Sequence, residues 1–261
     1  MNMAIEVRGL IKRYGDFTAV RSLDLAIAPG TVFGFVGQNG AGKTTTIGML
    51  TGLLTPTAGD IRLAGRPLTP NAVDVRRVMG VVADQPALFD HLRPVELLRL
   101  VGMVYGLRGG ALDCRVAELV ERLDLAGIRD RVIHQCSHGM RKRVAFAAAI
   151  IHEPKILFLD EPFEGMDSLT VRVVLKSLKA MAARGTAIFL TSHILDIVER
   201  VCDRIAIIDS GRIVWDCPAG DIRSRVFEQM DEQRTSALEH VFVDLVGQSR
   251  HDGVFSWLKG A

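Results

Sequence analysis

The sequence predicts an α/β fold: a mainly parallel core sheet covered by helices, an antiparallel β side-sheet, and an inserted α-helical subdomain. Three observations carry this. Short apolar runs rich in β-formers alternate with helical patterns along most of the 261 residues. From residue 86 to 136 the strand pattern stops and only helical periodicity remains. The opening segments alternate apolar and polar side chains, as antiparallel strands with one solvated face do.

Residues 5–14 and 19–27 form that alternating pair. Residues 31–37 (TVFGFVG) are strand-like, and a helix over 43–54 comes next. Residues 78–83 make another short strand. Helices over 95–107 and 113–125 fill the inserted stretch, and a long helix opens near residue 138. It contains the longest apolar block, residues 144–151, whose alanines suit a buried helix. Residues 156–160 (ILFLD), introduced by Pro154, form a buried strand, and 187–191 and 204–209 add two more. From residue 220 the character changes to mixed charge, with a helical pattern at 236–246 (SALEHVFVDLV) and a Gly-Gln-Ser-Arg break after it. The expected division is a domain over 1–219, with its helical subdomain at about 86–152, and a short helical extension over 220–261.

Composition narrows the class. Hydrophobic residues make up 48% and charged residues 24%, enough apolar surface to offset the entropy of folding, so disorder is excluded. The net charge of +2 argues neither for nor against nucleic acid or acidic membranes. No run of about 18 apolar residues exists, so no transmembrane helix is expected. Glu6 and Arg8 interrupt the N-terminus, which therefore does not read as a signal peptide. Cys114, Cys136, Cys202 and Cys217 lack metal-binding spacing and are expected to be reduced, buried thiols.

The strongest motif is Gly37-Gln38-Asn39-Gly40-Ala41-Gly42-Lys43-Thr44, a G-x-x-x-x-G-K-[ST] phosphate loop between an apolar strand and a helix. Its glycines let the backbone wrap phosphate oxygens and turn N–H groups inward, while the helix adds the positive end of its dipole. Lys43 is placed to reach the β- and γ-phosphates, and the Thr44 hydroxyl to ligate Mg²⁺; Thr45 completes the loop. The strand at 156–160 delivers Asp160 to its C-terminal end, where it can hold Mg²⁺, followed by Glu161, which can orient or deprotonate an attacking water. Just upstream, Cys136-Ser137-His138-Gly139-Met140 opens a helix and then runs into Arg141-Lys142-Arg143. Ser137 and Gly139 at that N-terminus offer a second anion site, best used on the nucleotide of a second copy. A plain N-cap with a solvated basic first turn is the simpler account of the same residues.

In this order the motifs resemble the ATP-binding subunit of ABC transporters, over about residues 4–216. Gly165-Met166-Asp167 and Thr191-Ser192-His193 extend the match. The resemblance implies that Tyr14 stacks on adenine, that Asp167 lies at the interface of two copies, and that His193 contacts the γ-phosphate. The signature departs from the family's Leu-Ser-Gly-Gly-Gln, keeping only its serine and second glycine; Ser-x-Gly-Met-Arg is similar to single-domain subunits of export systems for drugs, lipids or polysaccharides. Residues 238–242 (LEHVF) are similar to tails of such subunits. After the strand at 78–83 the family places a Mg²⁺-ligating glutamine. Here Asp84 occupies that place and Gln85 comes one residue late, and either could present the oxygen. Phe163 stands where the family often has a small polar residue.

The resemblance therefore implies a Mg²⁺-dependent ATPase with Lys43, Glu161 and His193 as its catalytic residues. It would act as an ATP-sandwich dimer of two copies, peripheral on the cytoplasmic face of the cell membrane. Its partner would be a separate multi-span permease, driven toward export, the direction that the signature favours, with no nucleic acid involved. The alternative is a non-transport ABC-type ATPase regulating a soluble or ribosomal partner. A GTPase would need a guanine-reading Asn-Lys-x-Asp, which is missing. A DNA-acting relative would need a long coiled coil between Lys43 and Asp160, for which the chain leaves no room.

Overall fold

The computed structural model describes residues 3–226 and 237–246. The chain opens with the antiparallel pair β1 (Ile5–Tyr14) and β2 (Phe17–Ile27), then β3 (Val32–Val36) and α1 (Lys43–Leu50). There follow β4 (Ala58–Leu63), β5 (Arg66–Pro67), α2 (Val73–Arg76) and β6 (Met79–Val82). The inserted helices are α3 (Pro94–Val104) and α4 (Gly109–Arg122), leading to α5 (His138–Ile150). The core resumes with β7 (Ile156–Asp160), α6 (Ser168–Ala183), β8 (Ala187–Thr191), α7 (Leu195–Val201), β9 (Arg204–Asp209) and β10 (Arg212–Pro218), and α8 (Ala219–Val226) and α9 (Ala237–Val246) close it.

Two sheets result. The first is antiparallel, in the order β2-β1-β4-β5. The second runs β10-β9-β3-β8-β7-β6 and is parallel except for β10, which pairs antiparallel with β9. Every residue of β3, β7 and β8 is buried, which explains their unbroken apolar runs: both faces of these strands are covered. Because side chains alternate, β3 sends Val32 and Val36 into the core shared with α5, α6 and α7. Phe33 and Phe35 enter the opposite core, beneath the antiparallel sheet and α1. There Phe189 centres an aromatic cluster, with ring centroids 5.6 Å from Phe33, 5.2 Å from Phe35 and 6.0 Å from Phe158. Each such ring, fully buried, contributes roughly 1.5–3 kcal/mol.

The inserted helices start for local reasons. Pro94 occupies the first position of α3, and the Glu96 carboxylate accepts the Arg93 N–H at 2.8 Å. Helix α1 ends at Leu50, four residues short of the expected 54. The Leu54 N–H returns to the Gly48 carbonyl at 2.8 Å, and this wrapped turn closes the helix. Strands β4, β5 and β10 carry too few buried residues to stand out in the sequence. The tail helix α9 packs against α7, burying Leu238 completely, and the Leu238 N–H donates to Glu199 at 3.2 Å. The Gly-Gln-Ser-Arg break at 247–250 lies outside the described residues. Among the described residues no helix is long and apolar enough to cross a membrane. Cys136 and Cys202 are buried, but Cys114 lies exposed on α4, against the expectation that all four thiols are covered. Phe163 is buried in the core on the helix side of the sheet.

Candidate functional site

The C-terminal ends of adjacent parallel strands bring the motifs together. Strand β3 leads through residues 37–42 into Lys43, the first residue of α1. Gly42 precedes it at φ 111°, where a Cβ would press within 2.7 Å of the Ala19 carbonyl oxygen, so the loop needs glycine there. Lys43 is only 6% exposed, and its ammonium donates to the carbonyls of Gly37 (2.7 Å) and Gln38 (3.2 Å). Burial pushes its pKa down, while the Glu161 and Asp160 carboxylates oppose that shift. Asn39, Gly40 and Thr44 are exposed at the mouth of the loop, Gln38 and Thr45 are half-buried, and Ala41 is buried beneath it.

Strands β7 and β8 pair in register so that Asp160 stands opposite Thr191. Asp160 is buried, and the Thr191 hydroxyl donates to its Oδ1 at 2.5 Å. Next along the chain, the Glu161 N–H donates to the Thr191 carbonyl (3.2 Å) and hydroxyl (3.3 Å). Glu161 takes φ 45°, a left-handed conformation that costs a non-glycine residue on the order of 1 kcal/mol or more and recurs at functional sites. Its Oε2 accepts the His193 N–H at 3.1 Å and lies 2.8 Å from His193 Nδ1. Lys43, Asp160, Glu161 and His193 thus share one locus, with Thr191 bracing two of them.

The signature segment sits at the start of α5. The Ser137 hydroxyl caps the helix by accepting the Met140 N–H at 3.3 Å. Gly139 is packed so closely on the turn before α6 that a Cβ would stand 1.8 Å from the Gly165 carbonyl oxygen. Asp167 caps α6, accepting the N–H groups of Leu169 (3.0 Å) and Thr170 (2.9 Å) and the Thr170 hydroxyl (2.6 Å). Those bonds, led by the hydroxyl, hold its carboxyl below the usual range.

The Ser137 cap does not lead into a solvated basic turn. Lys142 is fully buried and Arg143 is 9% exposed. Arg141 donates to Asp90 Oδ1 at 2.6 Å, and Arg143 to the Asp124 carbonyl at 3.0 Å and carboxylate at 3.1 Å. Lys142 reaches Asp84 Oδ1 at 3.0 Å. These partners lie 19 to 58 positions away in the chain, so a run of three cations reads as solvated until the fold is known. Thr191 is likewise invisible as a brace from the sequence, although it heads the Thr-Ser-His triplet.

The remaining candidates stand apart. Tyr14 ends β1 and is 48% exposed, and the Lys12 ammonium lies 5.0 Å from its ring centroid. Gln85 is exposed just after β6. None of Tyr14, Gln85 and Ser137 is hydrogen-bonded to Lys43, Asp160, Glu161 or His193 among the described contacts.

Comparison with known proteins bears on the family and the fold. The ABC transporter family profile matches residues 20–164. A daunorubicin resistance ATP-binding protein of Streptomyces coeruleorubidus is 39% identical over 221 residues, covering 85% of this chain and 70% of that one. A Nod factor export ATP-binding protein of Cupriavidus metallidurans is 38% identical over 216 residues, covering 81% and 70%. A probable multidrug ABC transporter ATP-binding protein of Escherichia coli is 34% identical over 242 residues; the match takes in 93% of this chain but only 41% of that longer protein. Among solved structures, the ATP-binding subunit of an ABC transporter superposes with a TM-score of 0.83 at 30% identity, covering 93% of this chain and 99% of that one. With the family profile spanning more than half its length and the fold shared almost throughout, the chain belongs to the ABC transporter family, with the architecture of its ATP-binding subunits.

Proposed function

We propose that the chain is the ATP-hydrolysing subunit of an ABC exporter, working as a dimer of two copies on a separate multi-span permease. The observation that carries this is the shared locus of Lys43, Asp160, Glu161 and His193 at the ends of β3, β7 and β8. A nucleotide triphosphate laid along residues 37–45 would meet the exposed end of that loop and the N-terminus of α1. Lys43 would then exchange the Gly37 and Gln38 carbonyls for β- and γ-phosphate oxygens, and the phosphate charge would favour the cation that burial disfavours. Glu161 holds its carboxylate against His193, which leaves the carboxylate poised to orient a water in line with the γ-phosphate. His193 itself would meet the charge that builds on the departing phosphoryl group.

The donors at hand fit Mg²⁺, a hard cation that prefers oxygen: the exposed Thr44 hydroxyl and the Asp160 carboxylate, which gives only Oδ1 to Thr191. Gln85 is the further donor in this reading, with Asp84 as its rival. Bound there, Mg²⁺ would supply charge neutralisation on the β- and γ-oxygens. Tyr14 would stack on the adenine, its half-exposed ring being open to a planar partner. Ser137 and Gly139, on a helix end exposed at Ser137, would complete the site of the second copy.

The cassette would comprise 1–219, including the helical subdomain at 86–152, with 220–261 as an extension. Residues 84–89 and the subdomain would receive the permease, placing the chain on the cytoplasmic face of the membrane. Export is supported by the multidrug, Nod factor and daunorubicin relatives. Glu161→Gln tests the reading: ATP binding is kept and dimers accumulate in ATP, while phosphate release falls about 10²-fold or more. Normal turnover would remove Glu161 from the chemistry.

A further inference from the structure

A lysine is almost never fully buried unless its charge is paired, and Lys142 has no exposed surface at all. Its ammonium has three donors, and three oxygens stand around it, one from the loop after β6 and two from the turn after β7. Asp84 Oδ1, in the loop after β6, lies at 3.0 Å. The main-chain carbonyl of Glu161 lies at 2.5 Å. Glu164 Oε2 completes the set at 3.5 Å. Asp84, Glu164 and His138 bring three ligand atoms within 4.8 Å of one another, an arrangement that could hold a metal ion. Two of the three already face the ammonium, so the cation of this cluster is Lys142.

The neighbouring residue strengthens the connection. Arg141 grips the same loop further along, at Asp90 Oδ1 (2.6 Å) and the Pro86 carbonyl (3.4 Å). Helix α5 therefore holds residues 84–90 and, with the same turn, the residue that follows β7. The carbonyl that Lys142 binds belongs to Glu161 itself, the residue at φ 45°, so the ammonium fixes the peptide plane that leaves Glu161.

We propose that Lys142 is a positioning residue: it binds Asp84 on one side and the Glu161 carbonyl on the other, so that the setting of Glu161 depends on the loop at 84–90. Asp84 then serves as the counter-ion of Lys142 rather than as a metal ligand. The effect on turnover rests on the hydrolytic role proposed for Glu161; the coupling of the two segments does not. Breaking such a pair leaves a buried charge uncompensated, and a small misplacement of a catalytic group is costly to rate.

The test uses Asp84→Asn, Lys142→Met, Lys142→Arg and the Asp84→Asn/Lys142→Met double variant in the full chain, read in two ways. Steady-state phosphate release should show kcat lowered about tenfold in each of the first two, with KM for ATP within about twofold, because the phosphate loop is untouched. The double variant should be no worse than Lys142→Met alone, and Lys142→Arg should recover part of the rate. Amide hydrogen exchange without nucleotide should quicken across residues 161–166 in Asp84→Asn, although the substitution lies in another loop. Unchanged exchange at 161–166, or rate losses that multiply in full in the double variant, would overturn the proposal. A wild-type chain without ATPase activity would sink the functional reading instead, while the exchange experiment still decides the coupling. Should Lys142→Met not fold, Asp84→Asn and Lys142→Arg carry both readouts, since Asp84 is 40% exposed.

Discussion

Replacing Gly139 by alanine sets two effects of known sign against each other. Glycine is a poor helix former, and alanine in a helix interior gains up to about 1 kcal/mol over it. Gly139 is the second residue of α5, so propensity alone predicts a stabilised protein. The packing says otherwise. A Cβ at this position would lie 1.8 Å from the Gly165 carbonyl oxygen, which is backbone and cannot rotate away. Restoring ordinary contact requires the start of α5 or the Gly165 turn to retreat by about 1.5 Å. Overpacking of this kind costs about 1–3 kcal/mol, so with the full propensity gain subtracted the net change is a loss of up to about 2 kcal/mol. For a chain of this size that lowers Tm by up to roughly 8 °C. The displaced elements carry Ser137 and Lys142 on one side and Asp167 on the other, so phosphate release should fall about 10²-fold. Nucleotide affinity, which the proposed function assigns chiefly to residues 37–45, should stay within about twofold. Thermal unfolding, phosphate release and binding of a fluorescent nucleotide analogue together read all three. A Gly139→Ala protein that melts higher than wild type and turns over normally would refute the packing argument.

Three further outcomes are expected. Thr191→Val keeps the shape but removes the hydroxyl from buried Asp160, which should cost about 2 kcal/mol and lower both Tm and kcat; a melting curve superposing on wild type would show that the bond contributes nothing. Asp167→Ala removes the cap of α6 and should cost about 1 kcal/mol at neutral pH. Because the Asp167 pKa lies below its ordinary 3.8 in the folded chain, the charge-dependent part of this contribution is present above pH 3.8 and is lost as pH falls through the folded value, so the gap between the urea midpoints of wild type and variant should narrow in acid. Ser137→Arg and Lys43→Ala should each be inactive alone, yet mixing them should restore about one competent site per dimer. No recovery on mixing would argue against sites shared between copies.

How much of the molecule is legible in its sequence depends on the distance over which each signal acts. The phosphate loop, the strand ending in Asp160–Glu161 and the apolar strands all announce themselves within a dozen residues, because close backbone approach and two-sided burial leave local marks in residue type. The β1–β2 half of the antiparallel side-sheet and the helical insertion are readable for the same reason, whereas the largely exposed β4 and β5 are not. Lys142 is not. Its role depends on Asp84 and Glu164, which are far away in sequence, and a charged residue shows nothing locally of being buried. Gly139 reads in the sequence as an anion-binding glycine, whereas its tightest constraint comes from Gly165, brought against it by the turn into α6. Helix α1 stops four residues before its expected end because the bond that closes it is made by the backbone, to which side-chain periodicity is blind.

The order of the six-stranded sheet also has a consequence in time. Strand β3, which delivers the phosphate loop, is flanked by β8 and β9, and the Val32 N–H donates to Asp203, 171 positions ahead. As the chain is synthesised, the β1–β2 hairpin can pair at once, but β3 has no neighbouring strand until residues 187–209 have emerged. Contacts of such long range slow folding and leave the apolar VFGFV segment open to wrong partners meanwhile. The phosphate loop is thus among the first motifs translated and among the last to acquire its support, and a fragment ending before β8 would carry the whole motif without the walls that give it shape.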